Sequence, residues 1–214
     1  MSWAIFLDSM PELLEAALGT LRMTAFAFVL AASLGLAIAI LRMTGGLAGR
    51  AAFLYIEVVR GMPALTLLFL IYFGLAPLGI VLNTFLAAVV ALGLNGAAYL
   101  AEVYRAGIQA VPKGHREAAQ VLGLTPMQSF RRIVLPQAIR MTLPPLASNF
   151  VQLIKFSSLG AVISVNEITR RGMELSASNF RPLETFTFIA VVYFLICWPL
   201  AMAIRWWERR LQNR

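Results

Sequence analysis

His115 to Arg140, HREAAQVLGLTPMQSFRRIVLPQAIR, lies between long apolar runs yet is itself polar and basic. Its first part, Arg116 to Leu122, has the makings of a short helix with small residues, Ala118 and Ala119, on its surface. Gly123 follows where a helix C-terminus wants a residue free to adopt positive φ. Thr125-Pro126-Met127-Gln128 then predicts a second helix, with Thr125 as N-cap, Pro126 at the first helical position and Gln128 three residues after the cap. Pro136 is expected to stop or kink that helix. The product is a helix–turn–helix element on a membrane surface, pivoting on a glycine and open to a close partner. Such an arrangement suits docking rather than chemistry.

Composition reaches the membrane class independently. Hydrophobic residues make up 60% of the 214 residues, charged residues only 13%, and the mean hydropathy is +0.78. Soluble domains carry roughly 25% charged residues, and no soluble core of this size absorbs such runs. The net charge of +8 is no argument for nucleic acid, because basic residues beside apolar spans report orientation. The single cysteine, Cys197, lies in an apolar run, so neither a disulfide nor a cysteine metal cluster is expected. His115 is the only histidine, and it reads as a surface residue.

Five spans are expected, at about 18–41, 52–75, 84–104, 143–165 and 185–206, each near the ~20 residues that cross a bilayer. Residues 1–17 carry Asp8, Glu12 and Glu15 where a secretory signal would be basic. With Trp3, Phe6 and Leu7 they read as an interfacial segment lying on the bilayer. On one side of the spans stand Arg42, Arg50, Arg105, Lys113, Arg116, Arg131, Arg132, Arg140, Arg205, Arg209, Arg210 and Arg214; on the other only Arg170, Arg171 and Arg181. That bias puts the first set in the cytoplasm and the N-terminus outside. The fold expected is therefore an all-α polytopic membrane protein, residues 18–210 forming one domain with a cytoplasmic loop at about 113–140. The outer segment 166–184 is expected as a loop of mixed charge that includes Glu167.

Glu117-Ala118-Ala119, Gly123 and Ile133-Val134-Leu135-Pro136 resemble the EAA loop of ATP-binding-cassette importer permeases of type I. More narrowly, VPKGHREAAQVLG (111–123) resembles the polar amino acid permeases, which carry histidine, glutamate, glutamine, arginine or opines. EVVRGMP (57–63), LNGAAYLAE (94–102) and FRPLE (180–184) match the same family in order, and the resemblance runs from about Leu18 to Arg210. It implies a coupling helix in which Arg116, Glu117, Ala118, Ala119, Leu122 and Gly123 meet a separate ATPase dimer that binds ATP and Mg. It also implies a second permease subunit, identical or paralogous, an external solute-binding protein touching the outer segment, and a bacterial cytoplasmic membrane.

Polar residues within spans mark the remaining candidates, since a charge at bilayer depth costs roughly 2.5–3.5 kcal/mol on insertion scales. Glu57 and Arg60 can meet on one helix face, as a structural pair or a gating element. Arg60-Gly61-Met62-Pro63 then breaks the second helix, a way to curve it around a path. Asn95 and Glu102, seven apart, share a face that either packs or lines the path. In the fourth span Asn149, Gln152 and Lys155 recur every three residues and Ser158 continues the row beside Ser157. This face reads as a substrate path able to hold a zwitterion, or else as a polar seam between helices. Where the polar amino acid permeases resemble Leu-Lys-Asp-Thr-Ser-Leu, this chain has Phe156 after Lys155, which leaves no acid there to favour a cationic substrate. The alternative is that Phe156 faces lipid.

No G-x-x-x-x-G-K-[ST] loop is present, so the chain is not expected to bind nucleotide or to be an enzyme. A secondary transporter or channel subunit driven by an ion gradient is the competing reading, but it favours internal repeats and none stands out. An intramembrane enzyme would need a nucleophile–base or metal constellation, which one histidine, one cysteine and scattered carboxylates do not make.

Overall fold

Met62 and Pro63 adopt extended backbone, φ −110° and ψ 151° followed by φ −61° and ψ 138°, and this short interruption bends the second expected span by 107°. Proline pushes its predecessor out of the helical region and offers no N–H to the preceding turn. The span 52–75 is thus two helices, α2 (Gly46–Gly61) and α3 (Ala64–Tyr72). A computed structural model of the chain describes residues 10–212 and the side chains of 10–210. Trp3, Phe6, Leu7 and Asp8 of the expected interfacial segment, and Arg214, lie outside the described residues.

The first helix, α1 (Met10–Thr44), is longer than expected. Residues 10–17, expected to lie along the bilayer, are its first turns, because Leu13 is buried in a cluster with Ile168, Leu175 and Ile189. Further along, α1 buries Met23, Ala27, Ala31, Gly35 and Ala39 against α4 (Thr84–Gln109), the most extensive helix pair of the fold. Small residues let the two backbones approach, the usual means of helix association where lipid supplies no hydrophobic drive. A Cβ on Gly35 would stand 3.0 Å from the carbonyl oxygen of Ala97, so any larger residue there would have to press the two helices apart. Asn83 caps α4 by accepting from the Leu86 N–H at 2.8 Å.

After α4 come α5 (Lys113–Val121), α6 (Pro126–Ser129), a π turn (Phe130–Val134) and α7 (Leu135–Phe156), which continues as a 3₁₀ segment (Ser157–Ile163). Pro136 does not stop this helix. It follows the wide turn, in which the Leu135 N–H donates to the Phe130 carbonyl, and the Gln137 side-chain amide donates to the Ile133 carbonyl at 2.8 Å. A π turn of this kind absorbs what a proline disrupts. Helix α8 (Ile168–Asn179) replaces the expected outer loop, and α9 (Pro182–Gln212) closes the chain. Every regular element among the described residues is helical. Among the described residues four helices are long and apolar enough to span a membrane, and the bent pair makes a fifth if counted as one.

Candidate functional site

Two places gather the polar residues singled out in the sequence. The first is the surface of α5 and the turn that follows. Gly123 has φ +71°; its N–H donates to the Gln120 carbonyl at 2.9 Å and the Leu124 N–H to the Ala119 carbonyl at 3.0 Å. These are the two bonds of a Schellman end. The capping box then starts α6: the Gln128 N–H donates to Thr125 Oγ1 at 3.3 Å and the Thr125 N–H to Gln128 Oε1 at 2.9 Å. The expected helix–turn–helix forms with its expected chemistry.

Its two sides differ in role. Glu117 and Ala118 are exposed, Leu122 is 76% exposed and Val121, which sequence reading passed over, is 88% exposed. Val121 falls three residues after Ala118 and belongs to the same outward patch. Ala119, expected on the surface, is fully buried. Arg116 points back: its Nη2 donates to the Ile108 carbonyl in the last turn of α4 at 2.9 Å, where carbonyls lack the partner a continuing helix would give them. His115 Nδ1 meets Gln137 Oε1 at 2.9 Å. Val111 packs with Val134 and Ala138 below. Helix α5 is therefore strapped to the end of α4 by Arg116 and to the start of α7 by His115.

The second place is a cavity of about 420 Å³ between α2, α4 and α7, lined by Arg60, Tyr99, Glu102, Val103, Ala106, Pro145, Ser148, Asn149 and Gln152. It brings together four predicted residues, Arg60, Glu102, Asn149 and Gln152. Glu57 is exposed and forms no ion pair with Arg60 among the described residues. Arg60 instead stands over the Tyr99 ring, 5.4 Å from its centre, a cation–π contact available once α2 has ended at the Gly61–Pro63 break. Glu102 is held by Arg105, whose Nε donates to both carboxylate oxygens at 3.1 and 3.0 Å. Arg60 is thus left as the cavity's cation. Asn149 Oδ1 is buried with no hydrogen-bond partner among the described residues, and Gln152 is exposed.

Other predicted residues fall elsewhere. Asn95 is 4% exposed and lies outside the cavity lining. Ser157 is buried and Ser158 half-buried, their hydroxyls donating to the Ile154 and Lys155 carbonyls at 2.6 and 2.8 Å. Lys155 is exposed, beyond the lining. Phe156 is half-buried and lies outside the cavity lining, packing against the cluster of Ala27, Leu92 and Leu153. Tyr99 and Ser148 were missed, although Tyr99 sits on the Asn95–Glu102 helix face and Ser148 adjoins Asn149.

At the other end, Glu167 is fully buried rather than partner-facing. Its carboxylate caps α8, accepting from the Thr169 and Arg170 N–H groups at 2.9 and 2.6 Å and from the Tyr193 hydroxyl at 2.8 Å. Burial pushes this carboxyl above the ordinary range, and those donors hold it back. The charges of α8 are paired, Arg170 and Arg171 with Glu174 on the same helix and Arg171 also with Glu12 of α1.

The model of the family described as binding-protein-dependent transport system inner membrane component matches residues 24–214. The chain is 38% identical over 218 residues to the glutamine transport system permease protein GlnP of Escherichia coli (strain K12), covering 98% of this chain and 97% of the relative. It is 37% identical to the L-cystine transport system permease protein TcyB of Bacillus subtilis (strain 168), covering 91% and 84%. Among solved structures, an amino acid ABC transporter superposes with a TM-score of 0.93 at 35% identity, covering 98% and 99%. The MetNI methionine ABC transporter, at 20% identity, shares the fold with a TM-score of 0.80 over 95% and 98%.

Proposed function

The chain belongs to the inner membrane components of binding-protein-dependent transport systems, and from that premise we propose how it works as the permease subunit of an ATP-driven amino acid importer. One observation carries the reading: the helix offered to a partner, α5, is strapped to the two helices, α4 and α7, that supply most of the polar cavity. An ATPase dimer, binding ATP and Mg, docks on Glu117, Ala118, Val121 and Leu122. Its closure displaces α5, and the Arg116 and His115 contacts pass the displacement to Tyr99 and Glu102 on α4 and to Asn149 and Gln152 on α7. The nucleotide state thereby shifts the balance between outward- and inward-open forms.

A second permease subunit, identical or paralogous, completes the cavity across a two-fold axis, and an external binding protein delivers the solute beside α8. Arg60 attracts the substrate carboxylate, while Asn149 and Gln152 supply amide hydrogen bonds. Lys155 stands one turn further along the path. With Glu102 committed to Arg105, the cavity favours neutral or acidic side chains over cationic ones.

The test is uptake of a panel of labelled amino acids by the complete complex in proteoliposomes. Arg60→Ala and Gln152→Ala are each expected to lower uptake about tenfold or more, the effect of one hydrogen bond to a charged group. Normal uptake by both, in complexes that assemble normally, overturns the assignment of the cavity.

Orientation is tested separately. In a Cys197→Ala background, Met127→Cys and Leu183→Cys place thiols at positions 66% and 82% exposed. An impermeant thiol reagent on intact cells should label position 183, and position 127 only after permeabilisation. Labelling of position 127 from outside overturns the arrangement with α5 in the cytoplasm and the N-terminus outside.

A further inference from the structure

Between α1, α4, α7 and α9 lies a second recess, a groove of about 800 Å³ whose walls include Phe28, Tyr104, Leu146, Phe150, Leu200 and Trp206. Its lining is aliphatic and aromatic, and the Tyr104 hydroxyl is occupied by the Ala32 carbonyl at 3.3 Å. On α7 the groove residues Leu143, Leu146, Ala147 and Phe150 and the cavity residues Pro145, Ser148, Asn149 and Gln152 centre roughly 180° apart at 3.6 residues per turn. A second permease subunit laid over the polar cavity therefore leaves the groove facing the bilayer.

The groove has a cationic mouth. The Arg210 guanidinium lies 4.1 Å from the centre of the Trp206 ring, and Trp206 and Trp207 both line the groove. Helices α7 and α9 run antiparallel, with Val151 and Ile154 clustered with Cys197 and Leu200. The same distance along each helix from that cluster brings Arg140 of α7 level with Arg210. Both arginines are exposed. Tryptophan at that level is the usual mark of a membrane–water interface. From Leu143 to Val151 the α7 wall rises about 12 Å, close to the ~15 Å of one leaflet's hydrocarbon.

We infer that this groove binds an anionic phospholipid, one acyl chain lying against Phe28, Phe150 and Leu200 and the phosphate held between Arg140 and Arg210. Paired cations above an apolar slot between membrane helices match an anionic headgroup with its chain attached. A zwitterionic lipid fills the slot but brings its own cation to the arginines. That the leaflet is the cytoplasmic one rests on the orientation proposed above; the site itself does not.

The experiment is native mass spectrometry of the complete transporter released from bilayers of equal phosphatidylglycerol and phosphatidylcholine. The wild-type complex should retain phosphatidylglycerol in preference. Arg140→Gln with Arg210→Gln should keep bound lipid but reduce the preference about tenfold or more, as expected for two basic contacts. Ala147→Phe with Ala203→Phe, which fill the groove, should lose lipid of both kinds. The arginine pair is exposed and keeps the test decisive if the filled groove fails to assemble. No retained lipid, equal retention of the two lipids by the wild type, or an unchanged preference in the arginine pair overturns the proposal. So does an Ala203→Cys thiol that crosslinks to the second permease, which would make the occupant a protein. No readout depends on transport, so failure here and failure of the uptake reading are distinguishable.

Discussion

Gly123→Val is expected to abolish ATP-dependent uptake in a complex that still inserts in the membrane. Nothing lies within 4 Å of a Cβ placed on Gly123, so the effect is one of backbone, not of crowding. The residue's φ of +71° costs an ordinary L-residue about 1–2 kcal/mol, and a β-branched one is a rarer occupant still. The strain is relieved by opening the Schellman bonds to Ala119 and Gln120, which frees α5 to turn relative to α6. The patch of Ala118, Val121 and Leu122 then loses its direction while the spans keep theirs. Gly123→Asn, which tolerates the left-handed region, should retain most uptake. Measured as substrate-stimulated ATPase and uptake in the complete complex, the pair separates geometry from the mere loss of glycine. Full activity in Gly123→Val would remove this turn from the coupling path.

Glu167→Ala should lower the melting temperature of the purified complex more than any surface change, through loss of a buried cap. Its removal leaves the Thr169 and Arg170 N–H groups without their acceptor, while the Tyr193 hydroxyl retains Thr169 Oγ1 at 3.1 Å. Each buried donor left unsatisfied costs about 1–3 kcal/mol, and an N-cap alone is worth about 1 kcal/mol. Glu167→Gln keeps one acceptor oxygen and should be milder. The pH dependence separates them further. A carboxyl raised in the folded state binds its proton more tightly there than in the unfolded chain, so wild-type stability rises as pH falls from the folded pKa toward the unfolded one. Glu167→Gln should lack that increment. Melting that is unchanged in Glu167→Ala would show that α8 is not held by this cap.

The same residue shows where sequence reading ran out. Glu167 belongs to a run of mixed charges and reads as surface. Its burial is decided by Tyr193, 26 residues on, and by the Thr20 hydroxyl, which accepts from the N–H of Ile168, 148 residues after it. Arg60 is a parallel case. Spacing pairs it with Glu57, but α2 ends at Gly61 and the arginine turns across to Tyr99 on α4. The row of Asn149 and Gln152 was legible because a polar face in an apolar helix is a local pattern. Which members of the row line the cavity was not, since that depends on where α2 and α4 lie.

By itself, the sequence determined what short-range chemistry controls. Composition placed the chain in a membrane, proline broke the second span, and the caps around Gly123 and Thr125 closed through bonds spanning no more than six residues. Tertiary structure alone decided which side each residue faces: Asn95 and Ala119 inward, Phe156 half-buried beside Ala27, Arg116 back onto α4 and the groove away from the cavity. The physical reason is that lipid supplies little hydrophobic contrast between an apolar face that packs and one that does not. Orientation is then set by close fit between distant helices, as where Gly35 meets the backbone of Ala97, and no local pattern records that fit.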